Sequence, residues 1–305
     1  MNKSEEETIV FNCTLWNISL SSFYILVFII AVPGNVLALW AFCHQKSTSP
    51  SKVFLRNLSI ADIFYILVLP MRIVYHLSDS QWPFGHILCQ LSGFLFYVNM
   101  YCSLYLMSFI SLDRLLVVLL PLRSQSVRKP LYANVAVGIL WVTVIISMSP
   151  TLFSKKDNTN SSSVCNKLYL EKTSSRALIS TIVAFFIPLT TIVVSYVLIL
   201  LKVRKLKQQE ERPVRDKAIK MIIIIVMNFL LAFVPYHVSR VIFIQSHSYG
   251  NITAASWESL RRANQITSAL TCISGVLDPV MYFFLNCAYR DTFLQLFCKN
   301  RHRDL

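Results

Sequence analysis

A seven-helix membrane bundle is the expectation for this 305-residue chain, and three features carry it. The composition is 55% hydrophobic and 14% charged, with a mean hydropathy of +0.55, against about 25% charged residues in ordinary soluble domains. The apolar residues gather into seven runs, at 20–43, 53–76, 88–120, 132–153, 177–201, 218–245 and 263–285, each long enough for the roughly 20 residues that cross a bilayer. Basic residues are the third feature. Of 29 Lys and Arg, 18 lie in, or at the helix ends bordering, the segments after runs 1, 3, 5 and 7.

Backbone groups in hydrocarbon have to be bonded within their own segment, so the runs read as helices. A membrane barrel strand would alternate, and MIIIIVMNFLLAFV at 221–234 does not. The fold class is therefore an all-α membrane protein: residues 1–19 form an N-terminal segment, 20–285 the bundle, and 286–305 a short amphipathic helix and tail. Positive-inside bias places the N-terminus outside the cell. Glu5, Glu6 and Glu7 stand where a signal peptide would be basic, so the first run is expected to serve as the insertion signal. Sequons at Asn2, Asn12, Asn17, Asn160 and Asn251 all fall on the expected outer side and are candidate glycosylation sites, whereas Asn57 falls on the inner side. The net charge of +14 is read as topology plus contact with membrane lipids or a cytoplasmic partner. No aromatic-interleaved basic groove accompanies it, so nucleic acid is not expected as a partner.

Cys89 at the start of the third run and Cys165 in the segment 154–176 share the oxidising side. They are expected to form a disulfide, the alternative being two free thiols. Cys13 has no obvious mate there. Cys298, in the basic tail, is either a lipidation site or an ordinary thiol.

Polar groups inside the runs carry the functional reading, because lipid excludes them unless they work. Asp62 and Asp278, with Ser103 and Asn35 at comparable depth, form either a monovalent cation site or a hydrogen-bonded packing cluster. Two buried carboxylates do not both ionise cheaply. Nearer the outer side lie Arg72, about 15 Å beyond Asp62 by helical rise, and Arg240, which shares a helix face with Phe233 and His237. Tyr75, Tyr97 and Tyr101 accompany them, and Arg261 and Arg262 precede the last run. Guanidinium forks match carboxylate and phosphate oxygens, so these residues either line an anion pocket or snorkel to the interface. No HExxH, nucleophile elbow or phosphate-cradling loop is present, so no enzyme and no catalytic residues are expected. A retinal pigment is excluded because 263–285 holds no lysine. A transporter or channel is a remote alternative, since no internal repeat is visible.

The order of motifs resembles the rhodopsin-like (class A) G protein-coupled receptors over nearly the whole chain. The residues that carry this are Gly34-Asn35, Leu58-Ser59-Ile60-Ala61-Asp62, Asp113-Arg114-Leu115, Trp141, Pro188 with Tyr196, Phe233-x-Pro235, and Asp278-Pro279-Val280-Met281-Tyr282. Trp82-Pro83-Phe84-Gly85, Tyr97-x-Asn99-Met100-Tyr101 and Phe233-Val234-Pro235-Tyr236-His237-x-x-Arg240 resemble the purinergic-nucleotide and cysteinyl-leukotriene branch. The resemblance implies a plasma-membrane receptor for a small anionic ligand, a nucleotide or an anionic lipid, contacted by Arg72, Tyr75, Tyr97, Tyr101, His237 and Arg240. It implies no cofactor beyond a sodium ion as allosteric modulator at Asp62, Ser103 and Asp278. It also implies an activation switch of Asp113, Arg114, Tyr196, Phe233, Pro235 and Tyr282, with Arg114 and Leu122 meeting a heterotrimeric G protein of the inhibitory type. A constitutively active or modulatory receptor with no small agonist is the alternative within the family.

Four departures from the pattern matter. Leu115 replaces the usual Tyr, and Phe233 replaces the usual Trp. No cysteine in 246–262 is available to pair with Cys13. Gln265 and Ser268 stand where nucleotide-selective relatives carry another cation. Thr292 is the one Ser or Thr after 286 and the loop 202–217 has none, so arrestin binding that depends on phosphorylation is expected to be weak, with Ser124 and Ser126 as the other candidate positions.

Overall fold

The structure is a computed structural model; it describes residues 3–44, 49–120, 128–153, 165, 168–169, 175–205, 212–248 and 253–298. Asn2, Leu122, Ser124, Ser126, Asn160 and Asn251 lie outside these residues, as do the side chains of Asn12 and Cys298.

Among the described residues, seven helices are long and apolar enough to cross a membrane. We number them α1 (Lys3–His44), α2 (Pro50–Leu77), α3 (Gly85–Leu119), α4 (Pro130–Met148, extended by a 3₁₀ turn at Ser149–Thr151) and α5 (Ser175–Lys205). The sixth, α6, has three pieces: Arg212–Asn228, a π-helical turn at Phe229–Phe233, and Val234–Ser248. The seventh, α7, runs Ala254–Leu270 and Ile273–Leu285, and α8 follows at Cys287–Cys298.

Two boundaries differ from the sequence expectation. Helix α1 begins at Lys3 and runs 42 residues, so helical structure starts well before the apolar run at 20. No proline or glycine in 3–19 breaks the helix. The seventh helix starts nine residues before 263, capped by the Thr253 side chain, which accepts from Ser256 N. Its first turns are polar and laced by Glu258 to Arg261 and Arg262, so hydropathy alone passes over them.

Helix α3 runs through the middle, packed against α2, α4 and α5; α1 packs on α2 and α7, and α6 on α5 and α7. The lipid-facing surface is apolar, with Ile29, Ile139, Ile146 and Ile179 all more than 60% exposed. That is the inverse of a soluble domain and suits a bilayer. Trp141 on α4 donates from Nε1 to Asn57 Oδ1 at 3.0 Å, so this inner-side sequon asparagine is a helix–helix contact.

Two local devices shape the interior. Val234 N–H donates to Phe229 O, five residues back, just before Pro235; proline removes a helical donor, and the chain accommodates this as a π turn. At Gly34 the backbone of α1 touches the ring of Pro279 on α7, where an added Cβ would lie 2.7 Å from Pro279 Cγ. Proline cannot move that ring aside. Gly34→Ala is therefore expected to destabilise the bundle by about 1–3 kcal/mol, read as earlier thermal unfolding of the purified protein. Unfolding at the wild-type temperature would show that α1 and α7 are not in this contact.

Candidate functional site

Three polar clusters are stacked along the bundle: one beside the disulfide, one at mid-depth and one at the opposite end. The first begins with the Cys89–Cys165 disulfide, which ties the start of α3 to the segment leading to Leu168 and Tyr169. Both of those residues are buried, packed with Tyr75, Trp82 and the disulfide itself.

Beneath this plug Arg72 of α2 is 0% exposed. Its Nη2 donates to Leu168 O at 2.9 Å, and its Nη1 to Tyr24 Oη at 3.2 Å and Ser268 Oγ at 3.3 Å. The guanidinium lies 4.5 Å from the Phe96 ring centre and 5.0 Å from that of Tyr169. Among the described residues no carboxylate pairs with Arg72, and its Nε has no hydrogen-bond partner. A buried charge without a counter-charge costs several kcal/mol, which the aromatic faces and three oxygens only partly offset.

The cation also orients what surrounds it. Arg72 can only donate, so Tyr24 accepts from it and turns its own hydrogen to Tyr169 Oη at 3.3 Å. Tyr169 then donates to His76 Nε2, and His76 Nδ1 donates to Asn17 Oδ1 at 3.1 Å. Ser80 Oγ donates to the same Asn17 oxygen at 3.1 Å. One directed chain thus joins α2, the disulfide segment and α1. Burial pushes the Tyr169 phenol well above its usual range, so it remains a donor. Asn17 is 7% exposed, within α1 and at the end of this chain. The folded structure therefore gives its side chain a structural place at the end of this hydrogen-bonded chain.

On the other side of α3, Tyr236 Oη donates to Tyr97 Oη at 3.2 Å, and Tyr97 and Tyr101 lie nearly parallel, 6.5 Å apart. Tyr236 interacts electrostatically with both Arg72 and Arg240, and Arg240, 1% exposed, also with Tyr97 and Tyr101. His237 stacks on Phe185 at 4.4 Å and donates from Nδ1 to Phe233 O, which leaves Nε2 a buried acceptor with no partner among the described residues. Arg72, Tyr97, Tyr101, His237 and Arg240 thus converge around Tyr236. Tyr75 packs on Trp82, His76 and Tyr169 under the disulfide. Arg261 and Arg262 also stay out, held by Glu258, with Arg262 over the Trp16 ring. Gln265 accepts from Trp16 Nε1. Tyr101 further lines a cavity of about 350 Å³ between α3, α4 and α5, with Tyr105, Thr143, Ser147 and Ser180.

At mid-depth Asp62 and Asp278 face each other within hydrogen-bond reach. Asn99 Nδ2 donates to Asp62 Oδ1 at 3.3 Å and to Ser103 Oγ at 3.4 Å, and Tyr282 Oη to Asp62 Oδ2 at 3.2 Å. Asn228 of α6 donates to Asp278 Oδ1 at 2.7 Å, immediately before the π turn. Asp278 Oδ2 has no donor among the described residues. Asn35 is not part of this group, since it donates to Gly275 O and Ala31 O.

At the far end Asp113, 4% exposed, accepts from Arg114, Arg128 and Ser51. Ser111 Oγ is hydrogen-bonded both to Met107 O at 2.9 Å and to Tyr196 Oη at 2.8 Å. Phe233 is fully buried, two residues before Pro235.

A bundle of seven helices with an Asp–Arg pair near the end of α3, a carboxylate pair at mid-depth and a disulfide over the other end is the architecture of a seven-transmembrane receptor. The family model described as "7 transmembrane receptor (rhodopsin family)" matches residues 34–282. The chain belongs to that family, the G protein-coupled receptors: a multi-pass plasma-membrane receptor rather than an enzyme, with a G protein partner and a small extracellular ligand. It is 45% identical to the uracil nucleotide/cysteinyl leukotriene receptor of Homo sapiens over 289 residues, 94% of this chain and 78% of that one. It is 32% identical to the human cysteinyl leukotriene receptor 1 (88% of this chain, 82% of that one) and 32% identical to a human purinoceptor (89% and 75%).

The sequence reading missed Tyr24, Tyr169, Tyr236, Ser51 and Arg128 as site residues. Tyr24 and Tyr236 carry a faint signal, being tyrosines inside apolar runs. Tyr169, Ser51 and Arg128 acquire their roles only from chain segments far away in sequence.

Proposed function

We propose that this receptor takes a small extracellular anion, a nucleotide or an anionic lipid such as a cysteinyl leukotriene, among α2, α3 and α6, and answers through an inhibitory G protein. The observation that carries the reading is Arg72, fully buried with no carboxylate paired to it among the described residues, facing Arg240 across Tyr236. A site with positive charge and hydroxyl donors in low dielectric selects an anion over a cation or a neutral molecule. The names of the relatives above, which include nucleotide and cysteinyl leukotriene receptors, support the same class. The excess of basic residues after α1, α3, α5 and α7 supports an outward-facing disulfide end. The cavity beside Tyr101 favours the lipid among the two ligand types, because it is largely apolar and borders the cluster.

A second reading rests on Leu168. Its carbonyl already occupies Arg72 Nη2, as a ligand oxygen would, and this favours a receptor whose own segment fills part of the pocket and supports signalling without agonist.

The test is G protein activation in cells expressing the wild type beside Arg240→Ala at matched surface density. The panel holds uridine and adenosine nucleotides, nucleotide sugars, cysteinyl leukotrienes and lysophospholipids. A response from one ligand class is expected, weakened roughly a hundredfold or more by Arg240→Ala, as truncating one partner of a buried charge contact does. An unchanged response in the variant overturns the anion pocket. Silence to the whole panel with high agonist-free signal selects the second reading.

Asp62, Asp278 and Ser103 supply hard oxygen donors suited to a small hard cation, and the free Asp278 Oδ2 gives it a place. Sodium is therefore proposed there as a modulator that joins two carboxylates otherwise forced to share a proton. Asp62→Asn is expected to remove any sodium dependence of agonist affinity. Persisting dependence would leave the pair as a packing cluster alone.

A further inference from the structure

The Asp113 carboxylate is shared between two arginines, and the sharing is unequal. Arg128 grips it as a fork, with Nε 2.7 Å from Oδ1 and Nη2 2.9 Å from Oδ2. Arg114 reaches only Oδ2, through Nη2 at 2.9 Å, and its buried Nε has no partner among the described residues. Ser51 Oγ donates to that same Oδ2 at 2.6 Å and accepts from Arg114. Oδ2 is thus a crowded acceptor, while Oδ1 belongs to Arg128 alone among these bonds. Arg128 also stands two residues before Pro130, the first residue of α4, where the helix dipole disfavours a cation. A fork–carboxylate pair accounts for a positive charge in that place.

This inference rests on the activation switch that the family resemblance implies, in which Arg114 holds the inactive state by pairing with Asp113 and swings toward Tyr196 and Tyr282 on activation. Asp113 is 4% exposed, so a departing Arg114 would strand a buried carboxylate if it were the only partner, and stranding a charge in a buried pair is what makes such pairs hard to break. With Arg128 in place the carboxylate stays paired and neutralised throughout. The repulsion between the two guanidinium groups also weakens the hold on Arg114. We propose that Arg128 is a positioning residue of the activation switch: it keeps Asp113 compensated when Arg114 swings away, and so lowers the cost of reaching the signalling state.

The consequence has a sign opposite to that of a simple inactive-state lock. Without Arg128, Arg114 inherits both oxygens of Asp113 and becomes the sole counter-charge, so the silent state deepens. The test measures agonist-free nucleotide exchange on purified inhibitory G protein by membranes from cells expressing wild type, Asp113→Asn, Arg128→Gln, Arg128→Lys and the double variant Asp113→Asn/Arg128→Gln, each normalised to surface receptor. Asp113→Asn is expected to raise exchange, since Arg114 is released. Arg128→Gln is expected to lower it by roughly fivefold or more, the factor that a modest change in the balance of two states produces. Arg128→Lys keeps the charge but loses the fork, and should fall between Arg128→Gln and wild type. The double variant should match Asp113→Asn, because no carboxylate is left to strand. A merely structural Arg128 would instead add its own loss to the double variant.

If Asp113→Asn fails to raise exchange, the switch reading itself is wrong and the proposal falls with it. If Asp113→Asn behaves as expected but Arg128→Gln matches or exceeds wild type, the switch stands and Arg128 has no such part in it. Should Arg128→Gln not reach the surface, Arg128→Lys decides alone: exchange at or above wild type overturns the proposal.

Discussion

Arg72 is a buried guanidinium without a carboxylate partner among the described residues, and much of the disulfide end is arranged to make that tolerable. A donor-only group fixes the direction of every hydrogen bond that starts from it. Tyr24, Tyr169, His76 and Asn17 each have one role as a result. The disulfide holds the Leu168 carbonyl over the cation, so oxidation of two distant cysteines and desolvation of one arginine are parts of one arrangement. An incoming anion would meet a site already oriented, and would compete with a carbonyl rather than with bulk water. Preorganisation of that kind reduces the ordering cost of binding.

The same economy of polar groups recurs along the axis. Asp62 and Asp278 sit where α2, α3, α6 and α7 all offer side-chain donors or acceptors to the carboxylate pair. Asn228 ties α6 to this pair immediately before the π turn that positions Phe233. Movement of α6 therefore disturbs a hydrogen bond to the carboxylate pair and a π turn together. At the far end, the crowded Asp113 holds Arg114 by one oxygen only. These clusters have discrete partners to exchange, which is what a two-state element biased by a ligand requires.

Much of this was legible in the chain. Seven runs, their charge asymmetry and the order of Asp62, Asp113-Arg114, Phe233-x-Pro235 and Asp278-Pro279 lead directly to the bundle and its family, because lipid forbids most alternatives. Arg72, Tyr97, Tyr101, His237 and Arg240 stand out for the same reason and do converge. Illegible were partnerships decided by tertiary placement: Tyr169 beside His76, Ser51 beneath Asp113, Arg128 folded back from the start of α4. Hydropathy also stops short at the ends, where the polar turns of α7 at Glu258 and the first turns of α1 continue as helix. Arg262 shows the converse: a cationic residue near the pocket need not line it, and here Glu258 claims it.

The measurement that bears most directly on the central role of Arg72 is thermal unfolding of the purified receptor carrying Arg72→Lys, beside wild type under identical detergent and salt. Lysine keeps the charge but gathers its donors on one nitrogen in place of the separate Nη1 and Nη2, so it cannot stand both where Tyr24 and Ser268 are met and where the Leu168 carbonyl is met, and a buried acceptor is left unmet. Unfolding several degrees below wild type is the predicted result. Superimposable unfolding curves would contradict the account, because they would mean that the bundle needs a cation there but not the directed chain that begins from it.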